Sequence, residues 1–266
     1  MLDQFGRDIT YLRISVTDRC NLRCRYCMPA DGVTLISHDD ILSFEEILSV
    51  VKSAVDLGIT KVRITGGEPL VRKGIVTLVE QLSRIEKIHD LSMSTNGTLL
   101  EQFALLLKNA GLQRLNISLD SLNPTTYEHI TRGGNVKDVL SGINAAKSAG
   151  FKQIKINAVI ENSFNEPDAL SVARFAEENG LAVQFIRRMD LHSGKFWRVS
   201  GGSGGECRIC NRIRLSANGF ILPCLFNERR FSVRSLGART ALKKAIENKP
   251  AEGNVNRTTY FYAIGG

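Results

Sequence analysis

Tyr11-Leu12-Arg13-Ile14-Ser15-Val16-Thr17-Asp18-Arg19-Cys20-Asn21-Leu22-Arg23-Cys24-Arg25-Tyr26-Cys27 begins as a strand and ends as a loop with three cysteines. Residues 11–16 are largely aromatic and aliphatic and favour an extended chain. The cysteines follow at C-x3-C-x2-C spacing. Three thiolates on one short loop can grip three irons of a cubane [4Fe–4S] cluster, leaving the fourth iron open. An open metal position is where a small molecule binds and reacts. A structural zinc site takes four protein ligands, and this loop supplies three. A disulfide framework suits short secreted chains, and no charged-then-apolar leader opens this one.

Outward from this stretch, short apolar runs alternate with helical patterns. Strands are expected at 11–16, 61–65, 91–95, 114–119, 153–160 and 182–187. Helices are expected at 73–85, 100–109, 125–131, 136–149 and 166–179. Another follows the capping box Ser43-Phe44-Glu45-Glu46, with Ile47, Val50, Val51, Ala54 and Val55 as its apolar stripe. Alternating strands and helices imply parallel strands with right-handed crossovers, in an open doubly wound sheet or a full or partial barrel. The cysteine loop, Gly66-Gly67-Glu68-Pro69 and Asn96-Gly97 each follow a strand, where barrels carry their active sites. Singly, each is also an ordinary turn.

After Asp190 the pattern changes. Gly201-Gly202-Ser203-Gly204-Gly205 reads as a flexible linker. Cys207 and Cys210 follow, and Asn218-Gly219 marks a two-residue hairpin turn. Counting outward from that turn sets Cys224 opposite Ile213 and returns it to Cys207 and Cys210. A zinc knuckle with a distant fourth ligand remains an alternative. Arg212 and Arg214 share one strand face, as a phosphate clamp or as ordinary surface arginines.

The chain has 266 residues, 43% hydrophobic, enough for one large domain or a domain with an appendage. No run of about eighteen apolar residues suggests a membrane span. The six cysteines fall into two triplets near opposite ends, a grouping that disulfides do not require, and a reducing cytoplasm is the expected setting. Net charge is +8, scattered rather than packed into a tail. No aromatic-and-basic RNA signature appears, so a polyanionic small substrate or a solvated surface accounts for it. No G-x-G-x-x-G opens a first helix, which argues against a classical dehydrogenase.

Together these motifs resemble the MoaA family of the radical S-adenosylmethionine (SAM) superfamily. The likeness rests on Asp3-Gln4-Phe5-Gly6-Arg7, on the stretch from Tyr11 to Cys20 and on Arg63-Ile64-Thr65-Gly66-Gly67-Glu68-Pro69-Leu70. It also rests on Cys207-x2-Cys210-Asn211-Arg212-Ile213-Arg214, Cys224-Leu225-Phe226 and the terminal Ile264-Gly265-Gly266. The resemblance implies a partial (β/α)6 TIM-type barrel over 1–190 and a C-terminal region, 191–266, with a cluster-binding hairpin. It implies a lyase converting GTP to (8S)-3′,8-cyclo-7,8-dihydroguanosine 5′-triphosphate, the first step of molybdenum cofactor biosynthesis. The implied cofactors are SAM and two [4Fe–4S] clusters, one on Cys20, Cys24 and Cys27 and one on Cys207, Cys210 and Cys224. Tyr26, Gly67, Ser118 and Met189 would line the SAM site. Arg13, Arg63, Ser94, Lys155, Arg212, Ile213, Arg214, Gly265 and Gly266 would contact GTP, with Arg13 also counted as catalytic. Implied partners are a reducing electron donor, functionally the downstream cyclic pyranopterin monophosphate synthase, and a second copy in a homodimer; nucleic acid and membrane are not among them. The chain departs from the family pattern in its short 191–205 segment, in Gln184 where an arginine is expected and in Arg187 where the family reads Glu. The alternatives are a radical SAM enzyme with an auxiliary cluster acting on another substrate, such as a peptide, and a non-catalytic paralogue.

Overall fold

In the order of the chain, the strands of a computed structural model describing residues 1–264 add to one edge of a single sheet. They are β1 (Tyr11–Ser15), β2 (Lys61–Thr65), β3 (Asp90–Thr95), β4 (Arg114–Ser118), β5 (Gln153–Ile160) and β6 (Ala182–Arg187), all parallel. The helices between them are α1 (Phe44–Val55), α2 (Ile75–Ser83), α3 (Leu100–Asn109), α4 (Pro124–Thr131), α5 (Val136–Ser148) and α6 (Pro167–Glu178). A doubly wound sheet reverses its strand order partway. Over these six strands the order never reverses, so the six strand–helix units form the open, partial barrel that the family resemblance implies.

Period-two alternation along the strands explains the packing. Leu12 and Ile14, Val62 and Ile64, and Met93, Ile117 and Ile156 are fully buried in the core. Each such side chain contributes about 1.5–3 kcal/mol of burial. The alternate positions are polar: Arg13 and Ser15, Arg63 and Thr65, Ser92 and Ser94, Asn116 and Ser118, Lys155 and Asn157. A TIM barrel normally fills its interior with branched apolar side chains. This one is lined by hydroxyls, amides and guanidinium groups.

The helix starts follow local chemistry. Ser43 Oγ accepts from Glu46 N–H at 3.2 Å, and Ser43 N–H donates to the Glu46 carboxylate at 2.7 Å, closing the capping box of α1. Helix α2 begins at Ile75, two residues later than the pattern predicts, because Gly74 takes a left-handed φ of 80° and breaks the turn before it.

The C-terminal segment extends the same sheet. β7 (Arg212–Leu215) pairs in parallel with β1, and the antiparallel β8 (Phe220–Leu222) and β9 (Phe231–Ser232) follow. Helices α7 (Val233–Leu236), α8 (Ala238–Glu247) and α9 (Phe261–Ile264) complete the described chain.

Two sequence expectations are corrected here. The hairpin loop has three residues rather than two, with Arg214 opposite Leu222 and Leu215 opposite Ile221. Ser216 N–H donates to Phe220 O, Ser216 Oγ accepts from Phe220 N–H, and Gly219 takes φ 84°. Such a loop ends on a left-handed residue, and it slips the register by one. Cys224 therefore extends toward Arg212 rather than Ile213. The glycine run is also not a free linker. Ser200 bridges to Phe185 on the edge of β6 by two backbone hydrogen bonds of 3.0 and 3.1 Å. A Cβ on Gly205 would sit 2.1 Å from Trp197 O, and one on Gly202 2.4 Å from Gln184 Oε1. The glycines let a close-packed return strand cover the barrel edge.

Candidate active site

The first cysteine loop is held by backbone contacts that only glycine permits. Gly67 N–H donates to Thr17 O at 2.7 Å, and Glu68 N–H to Arg19 O at 2.8 Å. A Cβ on Gly67 would lie 2.2 Å from Arg19 O, and one on Gly66 2.7 Å from Thr17 O. Buried Asp18 accepts from Ile36 N–H at 2.6 Å and from the Arg19 guanidinium at 2.8 Å. On the other side, Arg23 and Arg25 N–H donate to Thr131 O and Ile130 O at the end of α4. Cys20 Sγ accepts from Leu22 N–H at 3.4 Å and from Asn96 Nδ2 at 3.8 Å. Burial pushes the Cys20 thiol up to about 11 and the Cys27 thiol up to about 12, and raises Cys24 as well. Without a metal these cysteines are protonated; binding a cation displaces the protons.

Two buried carboxyls frame this loop. Glu68 Oε1 accepts from Leu70 N–H at 3.0 Å and Thr95 Oγ1 at 2.7 Å, and its Oε2 from Asn96 N–H at 2.7 Å. It thereby joins the turns after β2 and β3 beneath Cys20. Burial pushes its pKa up to about 7 despite these three donors. Asp120 accepts from Val159 N–H and from Tyr26 Oη, each at 2.8 Å, and burial pushes it up to about 6. The aromatic ring before the third cysteine is thus anchored by its phenol.

Between the two cysteine triplets lies a basic floor. Register puts Arg13 beside Arg63 of β2 on one flank and beside Arg214 of β7 on the other. Burial and then the charge of Arg214 hold Arg13 well below its ordinary value, with Arg63 and Arg212 adding to the effect. Arg214 is brought down to about 10 by burial and Arg212. Crowded guanidinium groups favour an anion among them. Among the described residues, Tyr11 Oη, Thr65 Oγ1, Ser94 Oγ and Asn157 Oδ1 are buried with no hydrogen-bond partner. Leaving such atoms unsatisfied costs about 1–3 kcal/mol each, and a polar ligand relieves it.

The second triplet closes the far wall. Cys207 sits in a short turn whose carbonyl accepts from Cys210 N–H at 3.2 Å, and Cys224 follows β8. Burial raises the Cys210 thiol, but the charges of Lys249 and Arg212 outweigh it and the net shift is downward. Cys224 remains raised by burial although Lys249 opposes it. Among the described residues no three His, Cys, Asp or Glu side chains converge on a single ion position. A cubane does not require that, because each thiolate binds its own iron and the sulfurs stand apart. Each all-cysteine donor set on the cavity wall fits such a cluster.

One cavity is lined by all six cysteines together with Tyr26, Gly67, Ser118, Met189, Arg13, Arg63, Ser94, Arg212 and Arg214. Two expected contacts are corrected. The Ile213 side chain is wholly in the apolar core, because it alternates with Arg212 and Arg214 on β7. Lys155 does not line the cavity; its Nζ donates to Gly201 O at 3.2 Å, against the return segment. Gly265 and Gly266 lie outside the described residues. Arg187 stacks its guanidinium over Trp197 at 4.2 Å and does not line the cavity, while its neighbours Ile186 and Arg188 do. The shortened segment supplies wall of its own through Phe196, Val199, Gly204 and Gly205. Sequence reading passed over Thr65 and Asn157, although strand alternation sets them on the faces of Arg63 and Lys155. It also passed over Asp120 and Lys249, for which no local pattern exists.

Residues 14–176 match the model of the radical SAM superfamily. The chain is 39% identical over 313 aligned positions to a GTP 3′,8-cyclase of Petrotoga mobilis, covering 98% of this chain and 97% of that protein. It is 38% identical over 319 positions to a GTP 3′,8-cyclase of Peptoclostridium acidaminophilum, covering 100% and 98%. The aligned positions outnumber the 266 residues here, so these relatives carry several dozen positions with no counterpart in this chain. Among solved structures, Streptococcus suis SuiB bound to its precursor peptide SuiA superposes with a TM-score of 0.69. That match has 16% identity and covers 92% of this chain and 66% of SuiB, about two thirds of its length; at that identity the likeness is one of fold.

Proposed function

The chain belongs to the radical SAM superfamily and, within it, to the GTP 3′,8-cyclase family, and on that premise we propose how its cavity handles the two substrates. It is a lyase of molybdenum cofactor biosynthesis, acting on GTP with SAM and an iron–sulfur cluster. In our reading the triphosphate lies on the row formed by Arg63, Arg13 and Arg214, with Arg212 beside it. SAM lies against Tyr26, Gly67, Ser118 and Met189, next to Cys20, Cys24 and Cys27. Cys207, Cys210 and Cys224 hold a second [4Fe–4S] cluster facing the guanine end. When bound, a cluster and SAM would supply one-electron, radical chemistry, with Cys20, Cys24 and Cys27 holding the first cluster and Cys207, Cys210 and Cys224 the second.

The chain's own residues position and shield. Guanidinium groups abreast on three strands grip a polyanion in several directions and restrict its rotation. The partnerless hydroxyls and amide of Thr65, Ser94 and Asn157 offer hydrogen bonds to ribose or phosphate oxygens. Phe196, Val199 and Phe226 on the return segment and hairpin keep water from the reacting carbon. The single observation that carries the reading is the row of three arginines between two cysteine triplets. A peptide substrate gives no reason for such a concentration of positive charge. The electron comes from an external one-electron donor, the product passes to cyclic pyranopterin monophosphate synthase, and the setting is cytoplasmic; a homodimer is the expected assembly. Among the described residues no helix is long and apolar enough to cross a membrane.

The test is product analysis by mass spectrometry on anaerobically reconstituted protein given dithionite, SAM and GTP. The expected products are 5′-deoxyadenosine and 3′,8-cyclised guanosine triphosphate. Deoxyadenosine beside intact GTP would overturn the substrate.

A further inference from the structure

Lys249 follows α8 and is 1% exposed. Its Nζ donates to Arg212 O at 2.6 Å and to Pro223 O at 2.8 Å. Arg212 stands two residues after Cys210, and Pro223 immediately precedes Cys224. One ammonium group therefore ties the cysteine-bearing turn to the returning hairpin strand. An ammonium has three donors. Two go to these carbonyls, and Lys249 shares one cavity wall with Cys207, Cys210 and Cys224, its charge acting on the Cys210 sulfur.

Charge balance points the same way. Among the described residues Lys249 forms no ion pair with a carboxylate. Burying a cation without an anion costs several kcal/mol. The groups beside it that become anionic on binding a cluster are the Cys210 and Cys224 thiols. The surrounding segments are braced as though this placement matters. Gln4 Nε2 donates to Lys249 O at 3.1 Å. Arg7, paired with Asp3 at 2.6 Å, donates to Cys207 O at 2.8 Å and to Pro250 O at 2.7 Å. The amino-terminal Asp3–Arg7 motif thus grips the first cysteine of the triplet and the backbone around Lys249.

We propose that Lys249 is a positioning residue that sets the reduction potential of the cluster on Cys207, Cys210 and Cys224, by holding a buried positive charge at the joint it makes between the hairpin and the cysteine turn. The proposal rests on the two-cluster reading above. A positive charge beside the ligating sulfurs stabilises the reduced cluster, which carries one more negative charge. Without it reduction becomes harder, while the first cluster, held on a separate loop, keeps its midpoint.

The test is an EPR-monitored redox titration of the anaerobically reconstituted full chain, wild type against Lys249→Met and Lys249→Arg. In Lys249→Met the reduction equilibrium of the second cluster is expected to fall at least about tenfold, which is about 59 mV for a one-electron couple. The first cluster's midpoint stays in place, and Lys249→Arg recovers most of the shift. A second-cluster midpoint unchanged in Lys249→Met at full iron content overturns the proposal. If Lys249→Met loses iron from the second site, Lys249→Gln decides: it keeps a donor without the charge, so a lowered midpoint supports the role and an unchanged one overturns it. Wild-type protein holding about four irons instead of about eight removes the second cluster itself, and this shows before any substitution is made.

Discussion

The two cysteine triplets carry the same donors in opposite electrical surroundings. Cys20, Cys24 and Cys27 come from one loop, and their charged neighbours Glu68 and Asp120 are buried carboxyls. Cys207, Cys210 and Cys224 come from a turn and a hairpin strand, and their charged neighbours are Lys249, Arg212 and Arg214. Where they ionise, carboxylates beside a cluster would make its reduction harder and the reduced cluster a stronger reductant. Cations beside a cluster welcome negative charge, whether an electron or a phosphate. The contrast teaches that ligand spacing nominates a cluster site, while the shell around it divides the labour.

Breaking one site alone gives the largest effect. Cys20→Ala is expected to abolish 5′-deoxyadenosine formation and to lower reconstituted iron by about half, leaving the second cluster's spectrum in place. An unchanged deoxyadenosine yield would refute the assignment of the first triplet.

Arg214→Ala probes the basic side. Loss of charge-assisted hydrogen bonds should lower kcat/KM for GTP on the order of 100-fold, with the SAM dissociation constant within about twofold. Isothermal titration with each ligand separates the two. Equal losses would mean that the arginine supports the whole cavity and not the triphosphate.

The acidic side is sharpened by Glu68→Gln in the metal-free protein. The ordinary carboxyl value is 4.5, and burial pushes Glu68 up to about 7 when folded. Below the ordinary value both states hold the proton and the group contributes no pH dependence. As pH rises from there to about 7, the unfolded chain releases its proton and the folded chain keeps it, so stability falls, by roughly 3 kcal/mol in all. Urea melts at pH 5 and pH 8 should show a smaller loss in the variant than in wild type. Equal losses would mean that Glu68 ionises freely in the folded state.

The smallest effect is expected at the rim. Arg187 stacks on Trp197 outside the cavity, so Arg187→Ala should leave kcat/KM for GTP within about threefold. A drop comparable to that of Arg214→Ala would put this cation on the substrate.

Much of this was legible in the chain itself. Strand–helix alternation, the capping box at Ser43, both cysteine spacings and the turn at Asn218-Gly219 are local signals, written in neighbouring residues. The alternation Tyr11-Leu12-Arg13-Ile14-Ser15 also marks which face of β1 is polar. A two-residue turn was inferred where the Ser216 side chain and Gly219 make three, because a serine's hydrogen bond to a residue four places on leaves no mark in composition.

The sequence by itself determined that strands and helices alternate, that two cysteine triplets stand near the two ends of the chain, and that its motifs resemble those of a GTP cyclase family. Only the tertiary structure decided that the first six strands join in unbroken order, that Arg63, Arg13 and Arg214 stand abreast, and that Lys249 ties Arg212 to Pro223 beside the second triplet. The physical reason is range. Periodicity and turn chemistry act over a few residues, whereas strand register and the burial of a charge depend on partners brought from far along the chain.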